Sequence, residues 1–248
     1  MKLPEPSNNK FDRLNSKVLR DLKKCKKGEL AGQNWTTCKG LTCRAFYFEP
    51  NKFTIKMWRE KKKFYKKGID RRVLFVLQRP GPNPKVKEGD IAVKPCFGLE
   101  NANPFALRRL ERFHDVRKKY GLENCYMTNI VKCSKFLKNI PPSVDEIEEC
   151  SKHLIKEIEI IDPEVVVAVG DVQDKILRRK PFKELIESLG CKLYKVTHYG
   201  YRDSVEKLWK RWDIEFTELK NKISPSPKFI PIFLKEAYYE GSKKKARS

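Results

Sequence analysis

The stretch 125–170, CYMTNIVKCSKFLKNIPPSVDEIEECSKHLIKEIEIIDPEVVVAVG, constrains the fold more than any other part of the chain. Its opening, 125–131, is β-branched and aromatic enough to form a strand. Pro141 and Pro142 break the pattern, and Ser143 then suits a helix N-cap. Val144, Ile147, Leu154, Ile155, Ile158 and Ile161 recur at helical steps, which predicts one buried face of an amphipathic helix. Pro163 ends that helix. The run VVVAVG at 165–170 is apolar throughout, as expected of a parallel strand covered on both faces. The stretch therefore reads as a β-α-β unit. Its polar residues fall at the carboxyl ends of the strands, where open α/β sheets bind ligands.

Composition narrows the class. Fifty-five Lys and Arg against 32 Asp and Glu give a net charge of +23. A surface rich in Lys, Glu and Ile, as in thermophiles, usually carries balancing acid; the imbalance here points to a polyanionic partner, with nucleic acid first. No run approaches the roughly 18 apolar residues of a membrane span. MKLPEPSNNK lacks the apolar centre of a signal peptide, so a cytoplasmic protein is expected. Eight cysteines in such a chain argue for metal or cluster ligation over a disulfide scaffold.

TNIVKC, a Pro-Pro turn, DEIEEC on a helix and an apolar strand ending in Gly resemble the uracil-DNA glycosylase superfamily, most closely its iron–sulfur branch, family 4. The resemblance is strong over about 73–170, weaker towards Arg202, poor before Val73 and absent beyond about Trp212. It implies a three-layer α/β/α sandwich around a mostly parallel four-stranded sheet. The expected organisation is an N-terminal helix, cysteine loop and basic aromatic extension over 1–72, a core over 73–222, and a Pro-containing segment with a basic tail over 223–248.

The family's iron–sulfur members carry a first ligand pair, usually C-x2-C, ahead of the first sheet strand. Here that region offers Cys38 and Cys43 at C-x4-C, or Cys25 and Cys38 at C-x12-C. With Cys133 and Cys150, which enclose a C-x16-C interval, the implied 4Fe-4S ligand set is Cys38, Cys43, Cys133 and Cys150, with Cys25 the rival for an early place. Four thiolates suit a cubane cluster. Zinc on the same residues and ordinary buried thiols stay open as alternatives. Cys125, Cys191 and Cys96 read as core residues.

The first parallel strand is predicted at 73–78 (VLFVLQ), opening into RPGPNP. Leu77, Gln78, Arg79, Pro80 and Gly81 occupy the places of a family motif that lines the base pocket. Arg79 stands where some members hold a water-activating carboxylate, and Gly81 leaves the pocket wall open to bases larger than uracil. The resemblance assigns Phe97 to stacking on the extruded base. Asn129, near the end of the second strand, presents a donor and an acceptor that match the uracil edge. His198 follows the last predicted strand at 192–197 and would hydrogen-bond uracil O2 as the base departs; Tyr199, Tyr201 and Arg202 would engage the DNA. Tyr199 and Gly200 depart from the family's last motif.

Further helices are predicted at 11–22, 105–120, 171–178 and 204–222. The last of these buries Val205, Leu208, Trp209, Trp212 and Phe216. Residues 46–72 are basic and aromatic, fitting either a stacking surface or a helix with an aromatic inner face. The expected function is a monomeric DNA glycosylase that excises uracil or a related deaminated base from damaged DNA. The alternative is a glycosylase-fold iron–sulfur protein that binds nucleic acid without catalysis.

Overall fold

The computed structural model describes residues 35–37, 69–79, 104–131, 133–135 and 141–230. The expected helix at 11–22, Cys25, Cys38, Cys43, the aromatic stretch 46–65, Pro80, Gly81, Cys96, Phe97 and the basic tail lie outside these residues.

Four strands form a parallel sheet in the order β3-β2-β5-β6: β2 (Ile69–Leu77), β3 (Cys125–Asn129), β5 (Val165–Val169) and β6 (Lys192–Val196). Parallel neighbours need crossovers, and here these are helical. α1 (Pro104–Lys119) precedes β3, and α2 (Val144–Ile161) joins β3 to β5. The short α3 (Asp171–Leu177) and α4 (Phe182–Ser188) lead to β6, and α5 (Val205–Lys220) follows it. The expected three-layer α/β/α architecture is what the chain adopts.

Alternation along the strands sorts the core into two halves. Leu74, Val76, Tyr126, Val166 and Ala168 face α2, α3 and α4, meeting Leu154, Ile158, Ile161, Leu177 and Phe182. Val73, Phe75, Leu77, Met127, Val165 and Val167 face α1 and α5, meeting Phe113, Val116, Trp212 and Phe216. β5 is buried at all five positions, as its unbroken apolar run requires. Cys125 is buried in the second half of the core, and Cys191 packs half-buried against the first, its thiol donating to the Pro163 carbonyl at 2.8 Å.

α2 begins at a capping box. The Glu146 amide donates to Ser143 Oγ at 3.3 Å, and the Ser143 amide donates to Glu146 Oε2 at 2.8 Å. Its buried face differs from the apolar pattern at both ends of the scale. Val144, the first residue of the helix, is 61% exposed, and Ile147 and Ile155 are only partly buried. Glu146, His153 and Glu157 are buried in their stead, and Thr128 Oγ1 donates to Glu157 Oε2 at 2.7 Å beneath the helix. On α5, Val205 is exposed and Leu219 is buried, so the inner stripe starts at Leu208.

β2 opens four residues before its apolar run. Ile69 and Asp70 pair antiparallel with β7 (Phe229–Ile230), and a buried Asp70–Arg72 ion pair sits in the added segment. A separate ribbon pairs β1 (Trp35–Thr37) with β4 (Cys133–Lys135), matching Thr37 to Cys133. Among the described residues no helix is long and apolar enough to cross a membrane.

Candidate active site

The carboxyl ends of the four parallel strands bring together residues distant in sequence. Asn129 closes β3 in register with Leu77 of β2. Pairing continues past both strands: Ile130 N donates to Leu77 O at 2.8 Å and Val131 N to Gln78 O at 3.0 Å. Gly170 follows β5, and its amide donates to Val196 O at 2.9 Å, fixing the end of β6 two residues before His198. Asn129, Gln78, Gly170 and His198 thus stand in strand order along one edge. Asn129 is buried, Gln78 half-buried.

Two glycines make room for the imidazole. Gly170 has φ +110°, and a Cβ there would lie 3.2 Å from His198 Cβ and 3.0 Å from Gln173 Oε1. A side chain would be strained by the backbone and crowded by its neighbours. At Gly200 a Cβ would lie 2.9 Å from His198 Nδ1. The Gly200 amide donates to that nitrogen at 2.9 Å. An occupied Nδ1 lone pair leaves the neutral ring's proton on Nε2, so His198 offers Nε2–H as a donor.

The His198 ring stacks on Tyr199 at 4.3 Å between centroids, and Tyr199 in turn contacts the Phe113 ring at 5.7 Å. Burial, with a smaller push from the Arg109 guanidinium, lowers the His198 pKa from 6.5 to about 4. The imidazole is therefore neutral throughout the physiological range. Between these two values the unfolded chain binds the proton more readily, so this residue's stabilising contribution falls as pH drops from 6.5 towards 4. A carbon-13 titration of the His198 ring is expected to show no protonation until the pH approaches about 4. A midpoint near the ordinary histidine value would refute the neutral, half-buried imidazole.

Arg79, two residues past β2, has its side chain only 2% exposed, and Nη2 donates to Glu146 Oε2 at 2.8 Å. Its charge is neutralised locally, and the pair ties the end of β2 to the first turn of α2. Glu146 was hidden by its helical context, although its place three residues after Ser143 is the capping-box signature. The other predicted contacts divide. Tyr199 turns inward onto Phe113, whereas Tyr201 and Arg202 are exposed, and the Arg211 guanidinium lies 4.9 Å over the Tyr201 ring.

Of the expected cluster ligands, Cys150 is buried on the core face of α2, and Cys133 lies in β4 opposite Thr37. Among the described residues no three potential ligands converge. Cys38 directly follows Thr37 in the sequence.

A family model described as the uracil DNA glycosylase superfamily matches residues 65–227. The chain is 27% identical over 191 residues to the type-4 uracil-DNA glycosylase of Saccharolobus solfataricus, covering 71% of this chain and 82% of that protein. It is 38% identical over 100 residues to the type-4 uracil-DNA glycosylase of Archaeoglobus fulgidus, covering 40% of this chain and 43% of the relative. It is also 28% identical over 179 residues to a DNA polymerase of Bacillus phage SP01, 63% of this chain but 19% of the polymerase.

Proposed function

This chain belongs to the uracil-DNA glycosylase superfamily, and we propose that it excises uracil, or a related deaminated base, from DNA. The observation that carries the reading is a buried Asn129 at the end of β3 and His198 just past β6, its Nδ1 occupied by the Gly200 amide, at the outer two strands of one sheet edge. Three strand spacings separate them, roughly 14 Å. A planar base held between them can be read from both sides.

Asn129 would pair with the N3–H and O4 edge of uracil. Cytosine's amino group meets the wrong partner there, and a buried polar group left unpaired makes such discrimination steep. Gln78 would line the pocket, and Phe97 would stack on the base. The +23 charge supports a phosphate-bound duplex from which the base is extruded. The C1′–N1 bond then breaks, and its electron pair leaves with the base. His198 Nε2–H would donate to O2 as negative charge gathers there. Water adds to the oxocarbenium-like sugar at C1′ and gives up a proton, completing hydrolysis.

The competing reading draws on Arg79. A buried cation follows β2 where some relatives carry a carboxylate, which fits a protein that binds damaged DNA without cleaving it. Incubation with labelled single- and double-stranded DNA carrying one uracil decides between them. Alkali-labile strand breaks at the uracil support the glycosylase. Tight binding without base release, across uracil, hypoxanthine and xanthine, overturns it.

We also propose that Cys38, Cys43, Cys133 and Cys150 hold a 4Fe-4S cluster. The β1–β4 pairing supports this, because it sets Thr37, the residue before Cys38, against Cys133. Thiolates are the ligands such clusters take, and the group would supply a cross-link between the early segment and the core. Protein purified without oxygen is expected to be brown and iron-loaded. Cys133→Ser is expected to lose most of its iron and colour, whereas Cys191→Ser, whose thiol bonds to Pro163, keeps both. Equal iron in the two variants would refute the ligand set.

A further inference from the structure

Thr197 lies between the end of β6 and His198, and α5 takes hold of all its polar groups. The Thr197 amide donates to Glu215 Oε2 at 2.7 Å, and its hydroxyl donates to Glu215 Oε1 at 2.6 Å. The Thr197 carbonyl accepts from Trp212 Nε1 at 2.9 Å. Glu215 and Trp212 are three residues apart, so they share one face of α5. Trp212, Phe216 and Leu219 seat that helix in the core with no exposed surface. The grip on Thr197 therefore comes from a rigid body.

We infer that Glu215 is a positioning residue for His198: by accepting both Thr197 donors it fixes the peptide that carries the imidazole, and so the direction of Nε2–H. Three local bonds complete the arrangement. Gly170 N donates to Val196 O, Gly200 N to His198 Nδ1, and Tyr201 N to His198 O at 2.9 Å. The first two orient the strand end and the ring, but neither restrains the backbone at Thr197. The carboxylate does. Charge-assisted bonds to an ionised acceptor are about twice as strong as neutral ones, which suits a residue whose displacement would swing the catalytic donor.

α5 contains its own control. Glu218, one turn further along, accepts from Tyr194 Oη at 2.8 Å and joins the same helix to the same strand, at an exposed site three residues before Thr197. If the carboxylates served only to hold α5 against β6, removing either would have similar consequences. If Glu215 sets the His198 geometry, only its loss reaches the chemistry.

The inference rests on the proposed base-release activity, so the experiment carries two readouts. Glu215→Ala and Glu218→Ala are compared by single-turnover uracil release, by affinity for uracil-containing duplex, and by the nitrogen-15 signals of the His198 ring in the free protein. Glu215→Ala is expected to slow release by about tenfold to a hundredfold, the range for a misplacement near 1 Å. Its DNA affinity stays at the wild-type value, and its His198 signals shift. Glu218→Ala is expected to match wild type in all three. Glu215→Gln, which keeps the shape without the charge, is expected to recover part of the rate. If Glu215→Ala does not fold, Thr197→Val takes its place, removing the hydroxyl donor at constant size. Unchanged release or unchanged His198 signals in the Glu215 variant overturns the inference, as does equal slowing in both variants. Should wild type release no base, the glycosylase reading fails, and the His198 signals alone decide the positioning role.

Discussion

Replacing His198 with alanine is expected to slow uracil release by about 10²–10³-fold, the usual cost of losing a preorganised donor to developing charge. The ring is neutral and its Nδ1 is occupied by the Gly200 amide, so Nε2–H is the proton on offer. That donor strengthens its bond only as the base acquires charge, so the loss belongs to the chemical step and affinity for the DNA changes little. His198→Asn, which restores a side-chain N–H at a different reach, is expected to recover only a fraction. The wild-type rate is also expected to show no loss from His198 protonation until the pH falls towards about 4. Single-turnover excision across pH checks both. A His198→Ala enzyme as fast as wild type would remove the imidazole from the mechanism.

The sheet was legible because its two central strands carry unbroken apolar runs, VLFVL in β2 and VVVAV in β5, and Pro and Gly stand close by in the sequence. VVVAVG and the helix before it carry their own signals in period and cap. His198 and Asn129 were legible as positions because polar residues at the carboxyl ends of parallel strands are conspicuous beside such runs. The carboxylates that hold Arg79 and Thr197 were not. Glu146 and Glu215 sit on helices where a carboxylate ordinarily faces water, and only tertiary contact gives each a buried or half-buried partner. Val144 failed in the opposite direction, since helical period does not say which turns of a helix reach the core. β1, β4 and β7, of two or three residues each, are too short to carry a period at all.

The same blindness hid the residues that close the other end of the sheet. IDRR before the first apolar run closes the stretch 46–72, which reads as a stacking surface or a helix with an aromatic inner face, yet it opens β2, with Asp70 1% exposed and Arg72 buried beside it. Arg72 Nε and Nη2 both bond the Asp70 carboxylate, the latter at 2.7 Å. Nη1 donates to the Ser224 carbonyl at 2.8 Å and Nη2 to the Gly121 carbonyl at 3.2 Å. One guanidinium thus joins the start of β2 to the turn before β3 and to the segment after α5. Arg72→Met is expected to cost about 3–5 kcal/mol, because it leaves a buried carboxylate without its countercharge. For a domain of this size that is a drop in Tm of roughly 6–20 °C. Asp70→Val combined with Arg72→Met is expected to recover most of the loss, since an apolar pair leaves no charge to desolvate. Below the lowered Tm, uracil release is expected to match wild type, because this pair lies at the amino end of β2, at the opposite end of the parallel sheet from His198 and Asn129. Thermal unfolding of the single and double variants, with excision measured at low temperature, separates the two ends of the sheet. A double variant no more stable than Arg72→Met would show that the lost carbonyl bonds, rather than the stranded Asp70 charge, dominate the cost.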